Sequence, residues 1–154
     1  MKLITFTYEG ITKRPGAIIN EEVIDLHVAY KSLLTSEGKI RAQQIADAFV
    51  PADMTGFLQG GKESLELAKK AIDYALKHKR DNVYRLVYGL NEVKVEAPVP
   101  LPGKMICVGH NYREHILEMG RELPPYPVIF AKFANTVIGP QDDIPFFPIS
   151  EQLD

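Results

Sequence analysis

Apolar and polar side chains alternate along the first residues of the chain. Over Leu3–Tyr8 the alternation has a period of two, which predicts a half-buried β-strand. Two further apolar stretches, at 17–19 and 22–26, flank Asn20 and Glu21. Because asparagine favours the tight turn between paired strands, this arrangement predicts a β-hairpin.

Helical periodicity follows the hairpin. Asp25 is a suitable N-cap for a helix from about Leu26 to Thr35, since its carboxylate can accept from free backbone N–H groups. In the longest helical stretch, Leu65, Ala68 and Ile72 recur at helical spacing, and lysines populate the other face. The predicted helices are 26–35, 42–49, 53–58 and 62–79, with a break at Gly60–Gly61.

Short extended pieces and prolines follow the long helix. Asp81–Asn82 predicts a turn, Val83–Tyr88 a strand and Glu92–Ala97 another strand. Prolines then recur at 98, 100 and 102, and proline stiffens the backbone and donates no hydrogen bond. The pattern predicts a domain boundary there, with an N-terminal α+β domain at 1–100 and a second domain at 101–154.

The second domain begins with polar residues between two apolar strands. Met105–Val108 predicts a buried strand that ends at Gly109, and Arg113–Met119 predicts a short helix closed by Gly120. A proline-rich loop leads to a second predicted buried strand, Val128–Ala131, and 135–138 to a further extended piece. The overall class is therefore α+β, with a β-rich second domain.

Composition excludes several classes of protein. The 154 residues contain 18 basic and 20 acidic side chains, so a basic nucleic-acid-binding surface is not expected. No apolar run reaches the length of a membrane span, and the N-terminus lacks the apolar core of a secretion signal. The single cysteine, Cys107, forms no internal disulfide and fits a reducing compartment. The protein is expected in the cytoplasm, away from nucleic acid and membrane.

His115 and Glu118 are the first candidates for catalysis. They lie three positions apart, so on a helix they share one face. A carboxylate beside an imidazole fixes its tautomer and raises the basicity of the other ring nitrogen, as a general base requires. The alternative is a solvated pair on an ordinary helix. His27 and His78 have no such partners in the sequence and are expected to be structural or exposed.

The segment Ile106–Gly120, ICVGHNYREHILEMG, resembles the opening of the catalytic domain of the fumarylacetoacetate hydrolase family. Pro127–Lys132 resembles the next strand of that domain, and Asn135–Pro140 the segment after it. The resemblance runs from about Leu101 to the last residue. It implies the first part of a mixed β-roll, preceded by the variable N-terminal domain of many bacterial members.

The resemblance implies roles for six residues. His115 and Glu118 match the catalytic pair, which in the family lies on a lid-like helix. Asn111, Tyr112, Arg113 and Lys132 match positions near substrate, although Asn111 and Tyr112 can equally satisfy backbone groups and Lys132 can be a surface lysine. His110 stands where many relatives have an arginine that contacts the substrate carboxylate, and Arg113 can take over that contact here.

The resemblance also implies a divalent cofactor, Mg²⁺ or Mn²⁺. Its ligands in the family are a Glu-x-Glu pair and a later Asp, and 101–154 contains no Glu-x-Glu. None of the residues of this chain is therefore predicted to bind the metal; the ligands are expected beyond Asp154, and the 154 residues alone are expected to be inactive.

The implied function is an enzyme that cleaves a carbon–carbon bond in a small 2-oxo or 1,3-diketo acid, as an acylpyruvate hydrolase or oxaloacetate decarboxylase. A hydroxy-diene-dioate isomerase remains an alternative, and so does a non-catalytic assembly module. The expected partners are the 2-oxo acid substrate, the remaining part of the catalytic domain and a second copy of the chain in a homodimer.

Overall fold

The computed structural model describes residues 1–10, 12–80 and 83–149. It divides into two units, one formed by Met1–Pro100 with the segment that begins at Ile138, the other by Leu101–Val137. Both helices and sheets are present, so the α+β class is confirmed. The predicted division into domains at 1–100 and 101–154 stays a prediction.

The strands of the described residues are β1 Lys2–Thr7, β2 Arg14–Ile19, β3 Glu22–Asp25, β4 Val87–Gly89, β5 Lys94–Glu96, β6 Met105–Gly109 and β7 Val128–Lys132.

Four helices of the first unit correspond to the four predicted ones. None of the helices in the described ranges is long and apolar enough to cross a lipid bilayer. The turn predicted at Asp81–Asn82 lies outside the described residues. The helices are α1 Leu26–Ser36, α2 Ala42–Phe49, α3 Met54–Gln59, α4 Gly61–His78 and, in the second unit, α5 Arg113–Glu118.

The first unit is built on a five-stranded antiparallel sheet with strand order β4-β3-β2-β1-β5. Asn20 and Glu21 connect β2 to β3 with φ angles of 47° and 65°, the left-handed backbone that a two-residue hairpin turn requires. The predicted hairpin is thereby confirmed. Ile4, Thr5 and Phe6 are all buried, so β1 is covered on both faces rather than half-buried.

Helices α1 to α4 cover one face of this sheet. The main core joins Ala17, Ile24 and Val87 of the strands to Leu26, Phe57 and Ile72 of the helices, with other buried apolar residues between them. In α2, Ala46 is fully buried, whereas Phe49 is 38% exposed.

Asp25 connects the sheet to α1. Its Oδ1 accepts from the backbone N–H of Val28 at 3.0 Å, which confirms the predicted N-cap. Its Oδ2 accepts from Nη1 of Arg14 at 2.8 Å, and the Asp25 side chain is completely buried. A buried carboxylate is stable only with such partners, so the cap and the ion pair jointly determine where α1 begins.

The strand predicted at Val83–Tyr88 is wrong in its extent. Only the end of that stretch is a strand, β4, and Arg85 forms an isolated bridge with Arg80. Val83 is 75% exposed, whereas Leu86 is fully buried. Strand-favouring residues alone do not pair, because pairing also requires a neighbouring strand in register.

The second unit contains a two-stranded sheet and one short helix. The predicted strands at 105–108 and 128–131 are present as β6 and β7, paired antiparallel from Met105↔Lys132 to Gly109↔Val128. The prediction that they are buried is wrong: every residue of β7 is exposed, and Ile106 is 67% exposed. Within this unit's described residues only Ile116 is a buried apolar side chain. The extended piece predicted at 135–138 is instead a 3-10 turn at Ala134–Thr136.

Candidate active site

The candidate site is built where β6 ends. Gly109 closes the strand, His110 and Asn111 follow, and α5 begins at Arg113. His110 has a φ of 48°, in the left-handed region that non-glycine residues rarely adopt. The sharp change of direction leads directly from the strand into the helix. The polar residues are therefore concentrated at one end of the hairpin, as catalytic and binding residues on loops often are.

The end of α5 forms a Schellman motif. The backbone N–H of Gly120 donates to the carbonyl of Leu117 at 2.9 Å, and that of Arg121 donates to the carbonyl of Ile116 at 3.1 Å. Gly120 has a φ of 67°, which glycine adopts without a steric penalty. The predicted closure of the helix by Gly120 is confirmed, and it directs the following loop back along the unit.

His115 and Glu118 lie on one face of α5, as their spacing predicts. The Nδ1 of His115 is 3.7 Å from Oε2 of Glu118, within the distance of an ion pair when the imidazole is protonated. Their side chains are 64% and 82% exposed. Because both side chains are solvated, small torsional changes suffice to bring Nδ1–H within hydrogen-bonding distance of the carboxylate. Their catalytic role stays a prediction.

An open cavity of about 420 Å³ lies beside α5 within the same unit. His110, Asn111 and Arg113 provide polar groups to its lining. The loop that follows α5 provides Leu123, Tyr126 and three prolines. The lining of the cavity thus combines a cation with apolar side chains, a composition common in sites for small organic ligands.

The structure separates the predicted site residues into two groups. Arg113 and Ile116 face the cavity, whereas His115 and Glu118 do not line it. Successive residues of an α-helix are rotated by about 100°, so His115 and Glu118 lie on roughly the opposite side of α5 from Arg113. Of the four predicted substrate contacts, Asn111 and Arg113 line the cavity.

Tyr112 and Lys132, the other predicted substrate contacts, lie apart from it. Tyr112 is 72% exposed and does not line the cavity. Lys132 pairs with Met105, four residues along the hairpin from Gly109, a separation of about 13 Å. Its Nζ lies 5.9 Å from the ring centre of Phe130. The substrate contacts proposed for these two residues stay predictions.

The contact between His110 and Arg121 was not predicted from sequence. Nη1 of Arg121 lies 3.0 Å from Nε2 of His110. Arginine has no acceptor, so Arg121 donates and Nε2 accepts, and the remaining ring proton is on Nδ1. The two residues are eleven positions apart, and only the return of the loop after α5 brings them together.

The described residues do not provide a site for the expected metal. In the ranges 1–10, 12–80 and 83–149, no three His, Cys, Asp or Glu side chains form a group that could hold a metal ion. The side chains present therefore do not fit Mg²⁺ or Mn²⁺, which need several oxygen ligands. Where the metal ligands lie stays a prediction.

Sequence comparison finds that the chain is similar to several curated oxaloacetate tautomerases. Human oxaloacetate tautomerase FAHD2B, mitochondrial, is 36% identical over 108 residues, 70% of this chain and 32% of that protein. Oxaloacetate tautomerase YisK of Bacillus subtilis (strain 168) is 33% identical over 144 residues, 90% of this chain and 44% of that protein. Oxaloacetate tautomerase fahd2, mitochondrial, of Xenopus laevis is 33% identical over 121 residues, 79% of this chain and 35% of that protein.

The chain thus spans between about a third and somewhat less than half of the length of these curated relatives. Residues 104–154 match the family model described as fumarylacetoacetate (FAA) hydrolase C-terminal. That range includes α5 with His115 and Glu118, and also the contact between His110 and Arg121. The match and the relatives agree with the motifs at 106–120, and the chain belongs to the fumarylacetoacetate hydrolase family.

Proposed function

We propose that this chain contributes to an enzyme that moves a proton between carbon and oxygen in a small 2-oxo acid of the oxaloacetate type. The observation that supports the proposal is the pairing of His115 with Glu118, 3.7 Å apart on the solvated face of α5. The curated relatives named above carry the name oxaloacetate tautomerase, and keto–enol tautomerism is a proton transfer of this kind.

The proposed roles of the two residues follow from their chemistry. Glu118 accepts the Nδ1–H of His115, which leaves Nε2 unprotonated and able to act as the base. Nε2 takes a proton from the carbon next to the ketone, and the electron pair of the broken C–H bond forms the C=C bond of the enolate. The enolate oxygen takes up a proton from water, and the protonated Nε2 releases its proton to water, which completes the enol and regenerates the base. The reverse sequence regenerates the ketone.

A second candidate is the cleavage of a carbon–carbon bond. The exposure of His115 favours it, because a solvated base can also remove a proton from water that attacks an acylpyruvate. In a decarboxylation the loss of CO₂ leaves the enolate, and the pair returns the proton to carbon. Both chemistries use the same base, and Asn111, Tyr112, Arg113 and Lys132 remain the proposed substrate contacts. Dependence on Mg²⁺ or Mn²⁺, a cytoplasmic location and a homodimer also remain proposals.

The test compares three reactions on one preparation. Enol absorbance of oxaloacetate reports tautomerisation, pyruvate formation reports decarboxylation, and loss of acetylpyruvate reports hydrolysis. Because the 154 residues alone are expected to be inactive, we expect the first to be accelerated in a longer product that also carries the remaining part of the catalytic domain, assayed beside the 154-residue chain with and without Mn²⁺. Acceleration of only the second or third reaction would select the carbon–carbon cleavage. Acceleration of none in either form would refute both candidates and favour an assembly module.

A further inference from the structure

A buried histidine of the first unit has different neighbours at its two ring nitrogens. His27 lies in the first turn of α1, and its side chain is 8% exposed. Its Nδ1 lies 2.7 Å from the carbonyl oxygen of Val50, which follows α2. Because a carbonyl oxygen only accepts hydrogen bonds, Nδ1 carries a proton and donates it. The second nitrogen, Nε2, is therefore the one that gains or loses a proton when the ring titrates.

Two side chains of α2 lie close to Nε2 of His27. The amide nitrogen of Gln43 is 3.2 Å from it, and Oδ1 of Asp47 is 3.6 Å from it. The same amide nitrogen donates to Oδ1 of Asp47 at 2.7 Å, so Gln43 joins the ring to the carboxylate. An amide N–H can donate only to an unprotonated ring nitrogen, and the arrangement therefore corresponds to the neutral imidazole.

Protonation of His27 would bring two donors together. The Nε2–H of the imidazolium and the amide N–H of Gln43 both donate, so their contact would be lost. Asp47 can replace it, because a carboxylate accepts hydrogen bonds and carries the opposite charge. The side chain of Asp47 is 57% exposed, so it has room to move from 3.6 Å to hydrogen-bonding distance.

Asp47 is the acid available to a charged His27. In the ranges 1–10, 12–80 and 83–149, no other Asp or Glu oxygen lies within 4 Å of the ring nitrogens. Helix α1 also packs against α4, β2 and β3, where Arg14 and Asp25 pair with each other and Ser64 of α4 is neutral. The positive end of the α1 dipole disfavours a charged ring in its first turn, so the charge needs a carboxylate partner.

We propose that His27 is a proton-operated latch between α1 and α2, in which Gln43 binds the neutral ring and Asp47 binds the protonated ring. The proton comes from solvent and forms the Nε2–H bond. Nδ1 donates to Val50 in both states, so α2 stays attached while its second contact changes partner. The latch goes beyond the structural role of His27, and it is independent of the chemistry proposed for α5.

Two variants of α2 separate the two states of the latch. Histidine is the side chain whose ordinary charge change lies between pH 5 and 8, so urea denaturation is measured at both values. Asp47→Asn keeps an acceptor for Gln43 and removes only the charge. It should raise the equilibrium constant of unfolding about fivefold at pH 5 and less than about twofold at pH 8. Gln43→Met should give the reverse, about fivefold at pH 8 and less than about twofold at pH 5.

NMR observes the change of partner directly in the unmodified chain. The ¹⁵N shifts of the His27 ring should report a proton on Nδ1 alone at pH 8 and on both nitrogens at pH 5. The side-chain amide protons of Gln43 should shift with the same midpoint, whereas those of the exposed Gln44 should not. Gln44→Met on α2 and Asp73→Asn on α4, both at exposed positions, are the matched controls and should leave the unfolding constants unchanged.

Any one of three outcomes would overturn the proposal. The first is a His27 ring that stays neutral at pH 5 in the folded chain. The second is an effect of Asp47→Asn or of Gln43→Met that is the same at both pH values, because each partner would then serve no particular state. The third is a Gln43 amide signal that does not follow the ring. Both substitutions are on exposed side chains, and the backbone amide spectrum checks that the variants fold.

Discussion

The Nδ1 of His115 lies 3.7 Å from Oε2 of Glu118, one turn further along α5. Neither residue lines the cavity on the opposite side of the helix, where Arg113 and His110 provide the donors. One short helix of six residues therefore presents a candidate base on one side and the open cavity on the other.

Replacement of His115 by Gln should lower the rate of oxaloacetate tautomerisation by about a hundredfold to ten-thousandfold, in whichever form of the protein is active, because the general base is lost. Glu118→Gln should lower it less, since it removes only the orienting carboxylate. The rate constant is measured from enol absorbance. Glu114→Gln, an exposed acid on the same helix, is the matched control. Full activity in both His115→Gln and Glu118→Gln would exclude the pair from catalysis.

Replacement of Asp25 by Ala should lower the free energy of unfolding by about 2–4 kcal/mol. The change removes the N-cap of α1 and leaves the guanidinium of Arg14, which is 26% exposed, without its partner. Urea denaturation measures the effect. Asp53→Ala removes the exposed N-cap of α3 and should cost only about 1 kcal/mol. Equal losses in the two variants would show that the Arg14 contact adds nothing.

His27 should prove structural, as the sequence predicts. It is 6% exposed, and its Nδ1 lies 2.7 Å from the carbonyl of Val50, which follows α2. His27→Leu should lower the free energy of unfolding by about 1–3 kcal/mol, since it leaves that buried carbonyl unsatisfied. The exposed His78 stacks on Tyr74, and His78→Leu should change stability by no more than about 0.5 kcal/mol. An unchanged free energy of unfolding in His27→Leu would indicate that another donor reaches the carbonyl of Val50.

Asp142 should titrate below the usual range of an aspartate. The Nζ of Lys94 donates to its Oδ1 at 2.7 Å and the N–H of Gly139 donates to its Oδ2, and these bonds, that of Lys94 first, lower the pKa of the carboxyl. A depressed pKa in the folded state contributes stability that is present above the unfolded pKa and is lost as the pH falls through the folded one.

The pKa of Asp142 is measured from its carboxyl ¹³C shift in an NMR titration. Lys94→Met should raise it towards the ordinary value, whereas Lys39→Met, at an exposed lysine, should leave it unchanged. The same ion pair raises the pKa of Lys94, so its stabilising contribution is lost as the pH rises through that folded pKa. An Asp142 pKa that does not respond to Lys94→Met would assign the shift to Gly139 alone.

Local patterns in the sequence determined much of the secondary structure. The turn at Asn20, the cap at Asp25 and the glycine closure of α5 each depend on residues within a few positions of one another. Their physical causes are the tolerance of asparagine and glycine for a left-handed backbone and the capacity of a carboxylate to accept from free N–H groups. The shared face of His115 and Glu118 has the same local origin, namely the pitch of a helix.

Tertiary structure alone decided which predicted strands are buried. β6 and β7 have the apolar composition of core strands, yet β7 is exposed along its whole length. Burial depends on what packs against an element, and composition states only what would be favourable to cover. The same reason limits the length of β4. Residues that favour strands begin at Val83, but the chain pairs with β3 only from Val87 onward.

The cavity and its donors also required the tertiary structure. His110 and Arg121 are separated by a helix, and their contact depends on the direction that the chain takes after Gly120. The sequence by itself determined the family, the α+β class and the pairing on α5. The fold decided that Arg113 lies on the other side of α5 from that pair, beside a histidine whose ring proton is set by an arginine eleven residues away.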